Sequence, residues 1–191
     1  KANGYGHGAV TSARAALAGG AQGLCVAFVQ EGVELREAGI EAPILVLSEQ
    51  PAETAAIAIA NRLISTVYSF EGVAAFAAAS GKGHPVHMKV DTGMRRVGVA
   101  VVDEVADAVA LADLIAASPA VSLAGVFTHL AVAEEIDNDF TRVQLERLDT
   151  ALAALAKAGH HPPVVHAANS AGAILHPAAR RQRQREEQED R

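Results

Sequence analysis

The chain opens Lys1-Ala2-Asn3-Gly4-Tyr5-Gly6-His7-Gly8. A lysine amine forms Schiff bases with aldehyde cofactors. Glycines at alternate positions free the backbone and let another group approach it closely. The tyrosine hydroxyl between them can donate to a phosphate oxygen. A lysine at a strand end, followed by a phosphate-friendly turn that opens a helix, is a candidate site for pyridoxal phosphate. The same eight residues also describe an exposed glycine-rich turn beside a surface lysine, and by themselves they do not separate the two.

Two further stretches carry chemistry-bearing side chains. The first is Lys89-Val90-Asp91-Thr92-Gly93-Met94-Arg95-Arg96-Val97-Gly98. Val86–Val90 is a predicted strand, in which Val86, Met88 and Val90 share one face and His87, Lys89 and Asp91 the other. Arg96 follows after a glycine-containing turn. The second is His166-Ala167-Ala168-Asn169-Ser170. Between them, Phe127-Thr128-His129 ends another predicted strand on a histidine, a residue that in such a place is more often structural than catalytic. Cys25 reads as core, and His7, His160 and His161 read as loop residues. Glu134, Glu135, Asp137 and Asp139 read as a solvated acidic loop rather than a metal site.

The opening octapeptide and these two stretches, in this order, resemble the bacterial alanine racemases of fold type III, which are pyridoxal-phosphate enzymes. The resemblance runs from Lys1 to about Arg180. It implies that Lys1 binds the cofactor and acts as one of two catalytic bases, and that Tyr5 and Ser170 bind its phosphate. Arg96 would approach the cofactor's phenolic oxygen and the substrate carboxylate, and His129 would sit beside the ring. His166 would hydrogen-bond the arginine under the pyridine nitrogen. Leu47 matches an apolar contact of the cofactor and equally fills a core position. Lys89 matches a lysine that is carbamylated in many relatives. An anion there would orient Arg96 through a charge-assisted pair; an unmodified Lys89 would simply face Asp91. The implied substrate is alanine, with D-alanine serving peptidoglycan precursors, and the intact enzyme would be a homodimer. Other amino-acid racemases or decarboxylases of the same fold type are the alternative, as is a non-catalytic cofactor-binding remnant.

Short apolar runs alternate with helical segments along the whole chain. Predicted strands cover Leu24–Phe28, Pro43–Leu47, Leu63–Val67, Val86–Val90, Leu123–Thr128 and Val164–Ala168. Predicted helices cover Val10–Ala18, Glu31–Ala38, Ala52–Asn61, Glu71–Ala79, Val105–Ala117 and Thr141–Ala158. In the last of these, Leu145, Leu148, Leu152 and Leu155 lie on one stripe, and Gly159 stops the helix. Buried strands alternating with helices give a parallel α/β array. The dinucleotide fingerprint of a doubly wound sheet is absent, because Gly4-Tyr5-Gly6-His7-Gly8 has the wrong spacing for it. The expected fold is a partial (β/α)8 barrel, with residues 1–179 as its cofactor-binding domain. In such barrels the chemistry lies at the C-terminal ends of the strands, where Lys1, Lys89–Arg96, His129 and His166–Ser170 fall.

The family pattern predicts a preceding strand, a last barrel strand and a C-terminal β domain bearing the second base, a tyrosine. Residues 180–191 instead read as a polar tail without apolar residues. The expectation is therefore an N-terminal portion that racemises alanine poorly or not at all when alone. The formal charge of −6 argues against a general nucleic-acid binder. One cysteine among 191 residues excludes an internal disulfide and a multi-cysteine zinc site. That usage fits a reducing, cytoplasmic setting, and no apolar run approaches a membrane span.

Overall fold

The computed structural model describes residues 2–79 and 82–180. Lys1 and, of the tail expected over 180–191, residues 181–191 lie outside the described residues; Arg180 is described, its guanidinium donating to the carbonyls of Ala173 and Ile174. The chain divides into two compact units, Lys1–Val86 with Ser118–Ser122, and His87–Ala117 with Leu123–Arg191.

The first unit begins with a short left-handed turn, α1 (Ala2–Tyr5), with φ 56° at Asn3 and 62° at Gly4. L-residues adopt this conformation only locally, and Gly6 and Gly8, at φ 85° and 90°, release the chain from it. Asn3 Oδ1 then accepts the Ala9 amide at 2.7 Å, satisfying a donor at the start of α2 (Ala9–Ala18). β1 (Leu24–Val26), α3 (Val29–Glu37) and β2 (Ile44–Val46) follow. β1 and β2 pair in parallel, Leu24 opposite Ile44 and Val26 opposite Val46. A 3-10 turn, η1 (Ala52–Thr54), leads into α4 (Ala55–Ala60), then β3 (Ser65–Val67) and α5 (Phe70–Ala79).

β2 and β3 are buried along their whole length, as strands covered on both faces must be. Gly32 in α3 is small for a reason: a Cβ there would come within 2.8 Å of the Leu63 side chain. Arg36 holds the turns that follow α3 and α4. Its guanidinium donates to the carbonyls of Ala42 at 2.8 Å and Arg62 at 3.0 Å, and its Nε to Asn61 at 2.9 Å. Glu49, just beyond β2, accepts the amides of Tyr68 and Ser69 at 2.7 and 3.0 Å and so anchors the entry to α5.

β4 (His84–Asp91) starts in the first unit and runs into the second, which continues with β5 (Val99–Ala100) and α6 (Ala106–Ala117); β6 (Val121–Phe127) likewise starts in the first unit and runs into the second, followed by α7 (Phe140–Lys157) and β7 (Val165–His166). A short helix, α8 (Ser170–Leu175), and a 3-10 turn, η2 (Pro177–Ala179), end the described chain. Within this unit β6 lies between β4 and β7, and β5 pairs with β4 in parallel. Met88, Val90, Leu111, Ile115, Val126, Leu148 and Leu155 are all at most 2% exposed and form its core.

The class is the α/β expected, and every predicted strand and helix has a counterpart. β1, β2, β3 and β7 are shorter than the apolar runs, because hydrophobicity continues into the turns, whereas β4 and β6 begin earlier than predicted, at His84 and Val121. The helix expected from Ala52 opens as a 3-10 turn behind Pro51. On α7 the buried stripe is Thr141, Gln144, Leu145, Leu148, Ala151 and Leu155, with Ala151 taking the place expected for Leu152. Cys25, expected in the core, is exposed. Alternation along β1 turns Val26 inward and leaves Cys25 on the opposite face.

Candidate active site

The strand order of the second unit brings the ends of β4 and β6 together. Lys89 is 5% exposed, its stem packed in the sheet and its Nζ 5.3 Å from the centre of the Phe127 ring. Burial lowers its pKa from the ordinary lysine value, and the charge of Arg96 adds to that; Asp91 acts in the opposite direction. An amine so placed is more readily neutral, and hence nucleophilic, than a surface lysine.

Arg96 is carried by the loop that leaves β4. Asp91 shapes that loop. Its Oδ1 accepts the amides of Gly93 at 2.8 Å and Arg95 at 3.1 Å, and its Oδ2 accepts the amide of Arg96 at 3.1 Å. Three converging amides hold the loop in a tight turn, in which Arg95 takes φ 55°. The Arg96 side chain is exposed. His129, half-buried, follows β6. Lys89, Arg96, Thr128 and His129 line one small cavity, so three of the sequence candidates do meet.

His166 closes β7 and is paired with a residue of β4: its Nε2 is 3.1 Å from His87 Nδ1. Phe127 stacks on His166 with ring centres 4.5 Å apart and planes 7° from parallel. Burial lowers the pKa of both histidines to about 4, and for His166 the neighbouring His87 and Lys89 add to the effect. Both rings are therefore neutral near pH 7, and one donates its N–H to the other. Gly125 makes room for this pair, since a Cβ there would lie 2.7 Å from the His87 ring. Ser170, exposed, is the first residue of α8, which Asn169 caps by accepting the Gly172 amide at 2.8 Å.

Tyr5 and Leu47 belong to the first unit. Tyr5 is 73% exposed and borders an apolar groove of about 360 Å³ with His7, Ser12, Cys25 and Glu31. Leu47, half-buried just past β2, donates its amide to Val26 at 2.9 Å and does not border that groove.

Sequence reasoning missed the residues that hold the site. It placed Asp91 opposite Lys89 but not at the centre of the Arg96 loop. It passed over Gln144, which is 0% exposed and hydrogen-bonded to Thr92, His129 and Ala131. The signal was present: a glutamine on the apolar stripe of a helix needs internal partners.

The family model described as "Alanine racemase, N-terminal domain" matches residues 1–185. An alanine racemase of Symbiobacterium thermophilum is 47% identical over 94% of this chain and 47% of its own length. One of Thermobifida fusca is 45% identical over 94% of this chain and 49% of its own. The solved structure of the Clostridium difficile 630 alanine racemase superposes with a TM-score of 0.85 at 34% identity, covering 94% of this chain and 47% of that one. That of the alanine racemase from E. faecalis gives 0.83 at 40% identity, over 92% of this chain and 47% of that one. The chain thus spans about half the length of the curated relatives it matches. The parallel βα units, the ordered motifs and these matches agree on one assignment: the chain carries part of a (β/α)8 barrel and belongs to the alanine racemase N-terminal domain family.

Proposed function

We propose that residues 1–179 are the cofactor-holding domain of an alanine racemase, with pyridoxal phosphate bound covalently to the Lys1 amine. The observation that carries this reading is the corner where Lys89, Arg96, Thr128 and His129 line one cavity at the ends of β4 and β6. The described residues suit such an anionic aromatic aldehyde. Arg96 offers an exposed cation beside the histidine, and in the same unit Ser170 is exposed at the start of α8. When bound, the cofactor makes the α-proton of an amino acid labile by accepting the electron pair left behind.

In this reading the Lys1 amine takes or returns that proton on one face. Arg96 pairs with an anionic oxygen of the cofactor or substrate. His129 packs beside the ring. His166, neutral and fixed by His87, offers an uncharged ring nitrogen to its further partner. A lowered Lys89 pKa favours attack of its neutral amine on carbon dioxide, forming a carbamate and releasing a proton. The product anion would convert repulsion from Arg96 into attraction. A homodimeric, cytoplasmic enzyme supplying D-alanine to the cell wall completes the proposal. Among the described residues no helix is long and apolar enough to cross a membrane.

The test is titration of the chain with pyridoxal phosphate, borohydride reduction and peptide mass mapping. Saturable labelling of Lys1 is expected, with affinity lowered about tenfold or more by Arg96→Ala through loss of a charge-assisted contact. Labelling spread over Lys82 and Lys157, or no saturable labelling, would sink the proposal.

A further inference from the structure

We infer that Gln144 is a positioning residue, a single buried amide that fixes both loops presenting Arg96 and His129. What those loops hold rests on the function proposed above; the coupling of the loops does not.

Gln144 sits one turn into α7 with no exposed surface. Burying a primary amide is unfavourable unless its hydrogen bonds are made. Here they are. Nε2 donates to Thr92 Oγ1 at 3.1 Å and to the His129 carbonyl at 3.0 Å, while Oε1 accepts the Ala131 amide at 2.8 Å. Thr92 is the first residue beyond β4, and His129 and Ala131 lie just beyond β6. One side chain therefore spans the two loops and uses both of its donors and its acceptor to do so.

Neighbouring contacts tie the same helix to the same loop. Arg147, on the face of Gln144, donates to the Thr92 carbonyl at 2.9 Å. Gly93, at φ 135°, lies so close beneath α7 that a Cβ would come within 2.7 Å of the Phe140 ring and 2.8 Å of Arg147 Nη1. Thr92 and Thr128 join the two strand ends directly, hydroxyl to hydroxyl at 2.8 Å. From Thr92 the turn built on Asp91 leads to Arg96. A side chain needed only for packing at this position would be apolar, as Leu145 and Leu148 are on the same stripe. An amide is needed only if the two loops must be held in one register.

The test uses the chain with Gln144→Leu, Gln144→Glu and, as a packing control, Leu148→Ala. Hydrogen exchange and Lys1 labelling by pyridoxal phosphate are read in each. In Gln144→Leu, exchange is expected to accelerate about tenfold or more at Ala131 and across Gly93–Arg96, and labelling to need about tenfold more cofactor. Gln144→Glu can accept from Ala131 in either state but donates only when protonated. Its deficit relative to the native chain is therefore expected to narrow as pH falls. Leu148→Ala is expected to lower the unfolding midpoint without either effect. Acceleration in one loop only, unchanged labelling in Gln144→Leu, or an equal labelling loss in Leu148→Ala would each overturn the inference. If the native chain does not label at Lys1, the proposed function fails, and exchange at the two loops still decides the coupling.

Discussion

β4 carries two buried histidines three residues apart, and they do different work. His84 opens the strand, 6% exposed, with Nε2 2.9 Å from Ser65 Oγ and its ring stacked on Phe76 at 4.8 Å. His87 is equally buried but meets His166. An odd spacing puts the two on opposite faces of the strand. His84 shares its face with Val86, Met88 and Val90, all 0% exposed; His87 shares its face with Lys89 and Asp91. Burial lowers the pKa of both to about 4. A lowered pKa thus marks burial and not function. What separates the pair is the face and the end of the strand: N-terminal ends of barrel strands serve stability and C-terminal ends serve chemistry.

The largest effect expected treats the two alike. His84, His87 and His166 all have folded pKa values of about 4, below the ordinary 6.5. The unfolded chain therefore binds protons that the folded chain refuses. Their stabilising contribution is complete above about pH 6.5 and declines as pH falls toward 4, by roughly 3 kcal/mol for each independent histidine. Denaturant unfolding followed across that range should show this decline, and His84→Phe should remove about one proton from its slope. A flat profile would mean that the rings are solvated.

Single substitutions should then part the two. His84→Ala is expected to cost about 2–4 kcal/mol, from a cavity beside Phe76 and an orphaned Ser65 hydroxyl. Cofactor labelling per folded molecule should stay unchanged. His87→Ala should cost less, about 1–3 kcal/mol, yet alter labelling by freeing His166 to rotate. Equal effects on labelling would erase the distinction between the faces.

The smallest effect sharpens it. The polar end of β4 leads into a turn where Arg95 sits at φ 55°. Arg95→Gly should relieve that conformation and raise stability by about 0.5–1 kcal/mol, measured by the shift in unfolding midpoint, with the histidine-dependent slope unaltered.

Much of this was legible beforehand. The period-two pattern of β4 separates Val86, Met88 and Val90, all 0% exposed, from His87, Lys89 and Asp91, because side chains alternate along any strand. Gly159, at φ 91°, ends α7 where expected. Lys89, Arg96 and His129 were singled out by type and order, and the fold does bring them to one cavity. The supports were less visible. Asp91, Thr92, Thr128 and Gln144 are common polar residues whose importance lies in partners far along the chain, such as Gln144 with Thr92, 52 residues away. Cys25 was misplaced because hydrophobic type alone does not say which face of a short strand is covered.

The alternation of strands and helices, the strand faces and the candidate groups follow from local periodicity and residue chemistry, and so can be read from the order of residues. Which histidine pairs with which, why Gly125 must lack a side chain, and that Gln144 bonds to the loops after both β4 and β6 emerge from the folded chain. Those are contacts between distant segments, and hydrogen bonds of about 3 Å exist only once packing has fixed both partners.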